Sequence, residues 1–421
     1  MTSSPTSDVQ QEAQRIQRVY LGLMLLNTLA ASLIWGINTL FLLDAGLSNT
    51  EAFAANAFFT AGMVLFEVPT GIVADTWGRR PSYLLGSLTL AVTTLLYLAA
   101  WQAHSPFWVW AVTSLLLGLG FTFFSGATEA WLVDALTFTG FKGTLESVFA
   151  KGQVVGGIAM LAGSVGGGFV AQATNLGVPY VLRAVILGAT FAVAFFLMKD
   201  LGFTPSRGRR PLPYMKSILS ASLKYGLGNP AVRWVMLAAP FTGGVGIYAF
   251  YAMQPYLLEL YGDEQAYGVA GLAAAIVAGA QIVGGFVVPH LGRVFRRRTA
   301  VLATGVVAGA LLLVLIALTP NFWVAVALLV LWGLIFAATL PVLQAYLNGL
   351  IPSEQRATVL SFESLMDSSG GVVLQPVLGK VADVWSYSVS YLVAAAFQIA
   401  AVPFMLLARR ENPKSDVIDA K

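Results

Sequence analysis

What most restricts this chain is the recurrence of apolar stretches long enough to cross a lipid bilayer. A spanning helix needs about 20 mostly apolar residues. Twelve segments qualify, at 19–43, 52–74, 82–102, 107–134, 149–173, 179–199, 233–258, 266–290, 299–319, 321–349, 357–380 and 387–408. Only 10% of residues are charged, against 57% hydrophobic. A soluble domain carries about 25% charged residues, so this composition cannot cover a water-facing surface. In hydrocarbon a helix bonds every backbone group within itself. The expected fold class is therefore an all-α membrane protein with twelve transmembrane helices.

The connections are short except residues 200–232, which are rich in Arg, Lys, Pro and Gly and divide six spans from six. The expected organisation is a six-helix half at 1–199, a central linker at 200–232 and a second six-helix half at 233–421. Basic residues test the count. Even-numbered connections and both termini carry Arg15, Arg18, Arg79, Arg80, Lys142, Lys151, the cluster Lys199 to Arg233, Arg293 to Arg298, Arg356, Arg409, Arg410, Lys414 and Lys421. Odd-numbered connections carry almost none, with only Arg183 and Lys380 near that side. The positive-inside rule then places both termini in the cytoplasm, which requires an even number of crossings. Residues 1–14 lack the basic-then-apolar pattern of a cleaved signal, and Tyr20 to Leu43 is too long for one, so it reads as the first span. The expected site is a bacterial inner membrane.

Several function classes drop out. The chain has no cysteine, which excludes disulfides and thiolate chemistry, and its two histidines, His104 and His290, have no ligand spacing around them. No nucleophile–base set, nucleotide loop or metal motif is present, so neither an enzyme nor a cofactor is expected. The net charge of +4 comes from basic residues along one membrane face, so no nucleic-acid partner is expected.

The halves repeat. Gly71-Ile-Val-Ala-Asp75-Thr-Trp-Gly78-Arg79 after span two matches Gly285-Phe-Val-Val-Pro-His-Leu-Gly292-Arg293 after span eight, with Pro289 in place of Asp75. In such a loop Gly71 and Gly78 allow close helix approach and a tight turn, while Asp75 can cap or pair with a base. Arg79 and Arg80 can bind carboxylates at neighbouring helix ends, and Asp134, ending span four, is the natural partner. The first copy, continued by Arg80-Pro81, resembles the signature loop between helices two and three of the major facilitator superfamily, with Thr76 where a basic residue is usual. That resemblance covers the whole chain and implies the major facilitator fold, alternating access and solute translocation. It also implies that the Asp75–Arg79–Arg80–Asp134 cluster locks the cytoplasmic side of the outward-open state. Glycines at 156, 157, 163, 166, 167 and 168 crowd span five. They loosely resemble the antiporter motif of drug-exporting members, without its proline, and equally suit close helix packing.

Ionisable groups inside a bilayer cost several kcal/mol, which makes each a functional candidate. Glu67 lies two turns before Asp75, and Glu129 sits on span four, flanked by Ser125 and Trp131. Glu363 and Asp367 on span eleven share one face at i,i+4 spacing. Two carboxyls so close in low dielectric cannot both stay charged cheaply, which suits reversible protonation. The order of preference for a proton-coupling carboxyl is Glu129, Asp367, Glu67, with Glu363 as the partner of Asp367. Arg183, at the start of span six, is expected to snorkel to the interface.

In the superfamily that the chain resembles, spans one, four, seven and ten line the pathway. Here they carry Asn27, Trp35 and Asn38 close to one helical stripe, then Trp131, then Tyr248, Tyr251 and Gln254, then Trp332, Gln344 and Asn348. Aromatics with a few amides suit an amphipathic or aromatic solute. The first expectation is a monomeric, proton-coupled antiporter exporting a hydrophobic or cationic small molecule, with protons and membrane lipids as its other partners. A symporter or facilitator for a neutral solute such as a sugar, and a lipid flippase, are the alternatives.

Overall fold

The computed structural model describes residues 5–205, 220, 222–351 and 356–418. Its contacts divide the chain into two compact units, residues 1–37 with 62–211 and residues 38–61 with 212–421. Residues 38–61, part of the first half in sequence, thus pack within the second unit.

The first unit holds α1 (Pro5–Trp35), the later part of α3 (Asn49–Thr76), α4 (Arg79–Gln102), α5 (Phe107–Thr122), α6 (Ala127–Phe138), α7 (Leu145–Ala173) and α8 (Val178–Leu197). Helix α1 packs on α7 and α8, and α4 packs on α5 and α8. The glycines of span five explain the first contact. A Cβ at Gly167 would collide with the Leu33 carbonyl, so α7 lies directly on the α1 backbone. Ser32 Oγ uses that proximity to donate to the Ala159 carbonyl at 3.1 Å. Small residues are how helices approach in lipid, where no hydrophobic effect drives them together.

The second unit holds α2 (Asn38–Asp44), the first part of α3, then α9 (Pro230–Tyr261), α10 (Tyr267–Val294), α11 (Arg298–Leu318), α12 (Phe322–Asn348), α13 (Arg356–Val384), α14 (Tyr387–Ile399) and α15 (Val402–Arg410). It repeats the pairing of the first unit: α9 packs on α13, α11 on α12 and α14. Local chemistry sets the starts. Asn229, Asn321 and Ser386 each accept a backbone N–H of the helix they precede, at 3.1 to 3.2 Å. The second copy of the repeated loop lies in the last turns of α10, with the side chains of 285–289 and 292 outside the described residues. Part of the central linker, 206–219, is also outside them.

Among the described residues, ten helices are long and apolar enough to cross a membrane. The remaining two expected spans are α10, apolar over Tyr267–Ala280, and α13, whose 29 residues include Glu363, Asp367 and Ser361, Ser364, Ser368 and Ser369. Acids and hydroxyls, not shortness, lower the hydropathy of α13. Exposed indoles at Trp108, Trp323 and Trp385, 66 to 72% accessible, flank three odd-numbered connections and suit the interfacial aromatic belt. The chain is an all-helical, multi-pass membrane protein.

Among the described residues, three spans are broken. Span one is interrupted at Gly36-Ile37, span four at Phe123 to Gly126 and span twelve at Ala400-Ala401. The first break corrects a sequence expectation. Asn38 begins a new helix, so it does not continue the stripe of Asn27 and Trp35.

The glycine contact can be tested by two neighbouring changes. Gly167→Ala should destabilise the detergent-solubilised protein by about 1–3 kcal/mol through overpacking. Gly166→Ala should be nearly neutral, because nothing lies within 4 Å of its Cβ position. Thermal unfolding of both variants checks the pair.

Candidate functional site

Two charged constellations stand out, one in each unit. In the first unit the loop after α3 gathers three acids, Asp75, Asp134 and Asp200, around two arginines. Arg79 Nη1 donates to Asp75 Oδ1 at 2.6 Å, while Arg79 Nε lies 3.8 Å from Asp134 Oδ2. The shorter, i,i+4 bond therefore holds Arg79 more firmly than the bridge to α6 does. Arg80 reaches the Phe195 carbonyl at 2.5 Å and lies over the Phe195 ring, 5.2 Å from its centroid. Glu67, two turns before Asp75 on α3, accepts Ser125 Oγ at 2.6 Å. Ser125 therefore serves Glu67, not Glu129 as the sequence suggested.

Asp200 is the residue missing from the sequence reading. It follows α8 and accepts the Arg80 backbone N–H at 2.8 Å, capping the first turn of α4. Gly78 makes this possible. Its φ of +118° with ψ of 161° is open essentially to glycine alone, and a Cβ there would strike the Asp200 carboxylate. The available signal was one acid directly after span six within a strongly basic stretch. Burial pushes the Asp200 carboxyl up from its ordinary value. The Arg80 N–H and the Arg80 and Arg79 charges oppose that rise, and the Asp134 charge adds to it. Gly71, by contrast, has nothing within 4 Å of its Cβ position, so the expected close approach there is absent.

In the second unit Glu363 and Asp367 line a cavity of about 320 Å³. Its other polar groups include Thr242, Thr339, Gln344, Ser364 and Gln398, and its aromatics are Trp332 and Phe336, stacked with centroids 5.8 Å apart. No Lys, Arg or His is among the described residues that line it. Asp367 is set by the crossing of α13 on α9, since a Cβ at Gly243 would overlap its carboxylate. Gln398 Nε2 is turned to the Val306 carbonyl at 3.2 Å. The structure thus brings together two sets that the sequence singled out separately, Trp332 and Gln344 on span ten and Glu363 and Asp367 on span eleven.

The other predicted residues fall elsewhere. Glu129 is exposed on α6, with its charge reaching Tyr20. Trp131 is buried and donates its indole N–H to the Lys199 carbonyl at 2.7 Å. Asn27, Trp35 and Asn348 are half-buried on α1 and α12, and Tyr251 is half-buried on α9. Tyr248 is fully buried and shares a 2.5 Å hydrogen bond with Ser390. Gln254 accepts the Thr39 N–H at 2.9 Å, and Asn38 donates to Asn56 at 2.8 Å. Arg183 corrects the snorkelling expectation. It is 1% exposed, with Nε donating to Thr94 Oγ1 at 3.1 Å and its guanidinium over Phe121. Among the described residues no group of three His, Asp or Glu side chains could hold a metal ion.

The Asp200 cap makes a pH prediction. A carboxyl whose folded-state value is raised binds its proton more tightly when folded. Stability then falls as pH rises from the ordinary carboxylate range through the raised value. Asp200→Asn, which can still accept the Arg80 N–H, should flatten that slope in thermal unfolding. Gly78→Ala should cost about 1–3 kcal/mol at any pH, from backbone strain.

Comparison with known proteins places this geometry. The structure resembles that of a variant of the nucleoside transporter NupG, with a TM-score of 0.76 at 15% identity, covering 92% of this chain and 99% of that one. It resembles a variant of the peptide transporter POT with a TM-score of 0.73 at 12% identity, covering 97% and 98%. A bacterial homolog of the human lysosomal transporter Spinster, in an inward-facing and unoccupied conformation, matches with a TM-score of 0.68 at 16% identity and covers 100% of both chains. No curated protein matches the sequence. The sequence model of the Major Facilitator Superfamily matches residues 20–296 and 266–421. Spans, repeat and signature loop agree with that match, and the chain belongs to the major facilitator superfamily.

Proposed function

We propose that this chain is a secondary transporter that works by alternating access and exchanges protons for a small amphipathic or cationic solute, exporting it from the cell. Family membership supports secondary transport. One observation carries the proton coupling: Glu363 and Asp367 line one cavity together, with no basic side chain among the described residues of its wall. Two carboxyls in so small a low-dielectric space cannot both be charged without a cation, so a proton and a cationic solute compete for them. The Trp332–Phe336 stack offers a π-face to such a solute. The pair therefore replaces Glu129 as the preferred coupling site. The basic residues of the even-numbered connections support cytoplasmic termini in a cell membrane. A single chain with twelve spans supports a monomeric unit.

A second reading has its own support. Gln344 and Gln398 on the same wall could bind hydroxyls, and the nucleoside transporter is among the structural relatives. That reading is proton-driven or facilitated uptake of a neutral solute.

The test is flux in proteoliposomes under an imposed pH gradient, with a panel of lipophilic cations and neutral hydroxylated solutes. Cation movement opposite to the proton gradient is expected. Asp367→Asn should abolish the dependence on the gradient, whereas Glu129→Gln should keep most of it. A flux of neutral solute with the gradient would select the second reading. Flux indifferent to the gradient would sink proton coupling altogether.

A further inference from the structure

The polar groups of the acid-lined cavity in the second unit differ in what their hydrogens are already bonded to. Gln398 is 7% exposed and stands in the last turn of α14, beside the break of span twelve. Its amide nitrogen lies on α11 at Gly309, where a Cβ would strike it, and donates to the Val306 carbonyl at 3.2 Å. The nitrogen end is thus turned to the α11 backbone, and the acceptor Oε1 is the end left for the cavity. Thr242 and Thr339 are in a similar condition. Their hydroxyl hydrogens go to carbonyls of their own helices, Ala239 at 3.2 Å and Phe336 at 2.8 Å, which leaves only lone pairs.

Nothing in the wall serves the carboxyls either. Among the described residues no N–H or O–H donates to Glu363 or Asp367. The hydrogens still uncommitted on the wall belong to Gln344 and Ser364, both exposed, and to the Trp332 indole. The wall is therefore weighted towards acceptors: two carboxyls, one amide oxygen and two hydroxyl oxygens. Each of these is costly to strip of water unless a donor meets it. A positive charge alone can balance the carboxylates. It does nothing for the amide and hydroxyl oxygens, which need hydrogens.

We propose that the solute taken by this cavity is a protic cation, an aromatic ring carrying an ammonium or amidinium group whose N–H bonds meet Glu363, Asp367 and Gln398. This rests on the reading of the cavity as a cation site and narrows it. The ring has the Trp332–Phe336 stack to lie on. A quaternary ammonium on the same ring brings the same charge but no hydrogen. It would displace water from the acceptors and leave them unbonded. A site built on hydrogen bonds penalises a partner that lacks them far more than an apolar pocket penalises a missing methylene.

Calorimetric binding to the full-length protein in lipid nanodiscs tests this with one ring and a changing head. The probes are phenethylammonium, its N,N-dimethyl derivative and its N,N,N-trimethyl derivative, titrated at one pH. Affinity should fall about tenfold or more at the last step, where the final N–H is lost. Gln398→Leu should weaken the two N–H-bearing cations about threefold or more and leave the trimethyl cation unchanged, which itself reports a folded site. Thr339→Val should act in the same direction, more weakly. Asp367→Asn should weaken all three. Equal affinity along the series, or a loss in Gln398→Leu that the trimethyl cation shares, would overturn the protic preference. The cation reading would survive that result as long as Asp367→Asn still weakened binding. If none of the probes bound, or if binding ignored Asp367→Asn, the cation reading would fall and the preference with it.

Discussion

Inside hydrocarbon a peptide group finds no water, so every N–H and C=O must be bonded by the protein itself. That constraint decides where polar chemistry can sit in this chain. Helix interiors satisfy themselves. Helix starts do not, because their first N–H groups have no intrahelical partner. At three starts the missing acceptor is an aspartate brought from far along the chain. Asp200 serves α4 at Arg80, Asp383 serves α3 at Asn49 and Thr50, and Asp416 serves α11 at Thr299, 2.7 Å from its N–H. Each bond joins elements distant in sequence, so each start is also a point of tertiary attachment. The last of them folds residues 414–418 back along the start of α11, where Arg298 binds the Val417 carbonyl at 2.9 Å.

The same constraint explains what could be read in advance. Span length, the positions of basic residues and the repeated loop all reflect bilayer thickness and the charge difference between its faces, which act on sequence directly. Helix number and family were therefore legible. The signature loop was legible too, down to Asp75, Arg79, Arg80 and Asp134. The i,i+4 spacing of Glu363 and Asp367 correctly placed two carboxyls on one side of α13.

What failed depended on the third dimension. Gly36-Ile37 looks like two more apolar residues, and nothing local announces that the helix stops there. Arg183 resembles any interfacial arginine until Thr94 and Phe121 are seen to enclose it. Ser125 stands one turn from Glu129 in sequence but lies in the break of span four, before α6, and bonds Glu67 on α3. Asp200 and Asp383 sit outside the spans, where an acid attracts no suspicion, and their roles depend on helices remote in sequence. Trp131 and Tyr248 show the converse. Aromatics in pathway-type positions turned out to be committed to internal hydrogen bonds, at Lys199 and Ser390.

Helix α3 runs unbroken from Asn49 to Thr76, 28 residues, or about 42 Å at 1.5 Å per residue. One end is bolted to α13 through Asp383. The other carries Asp75 and, just beyond it, the arginines of the charge node. Pro69 lies inside α3 and offers no N–H to the Leu65 carbonyl one turn earlier, so the long helix carries a built-in weak point between its two ends.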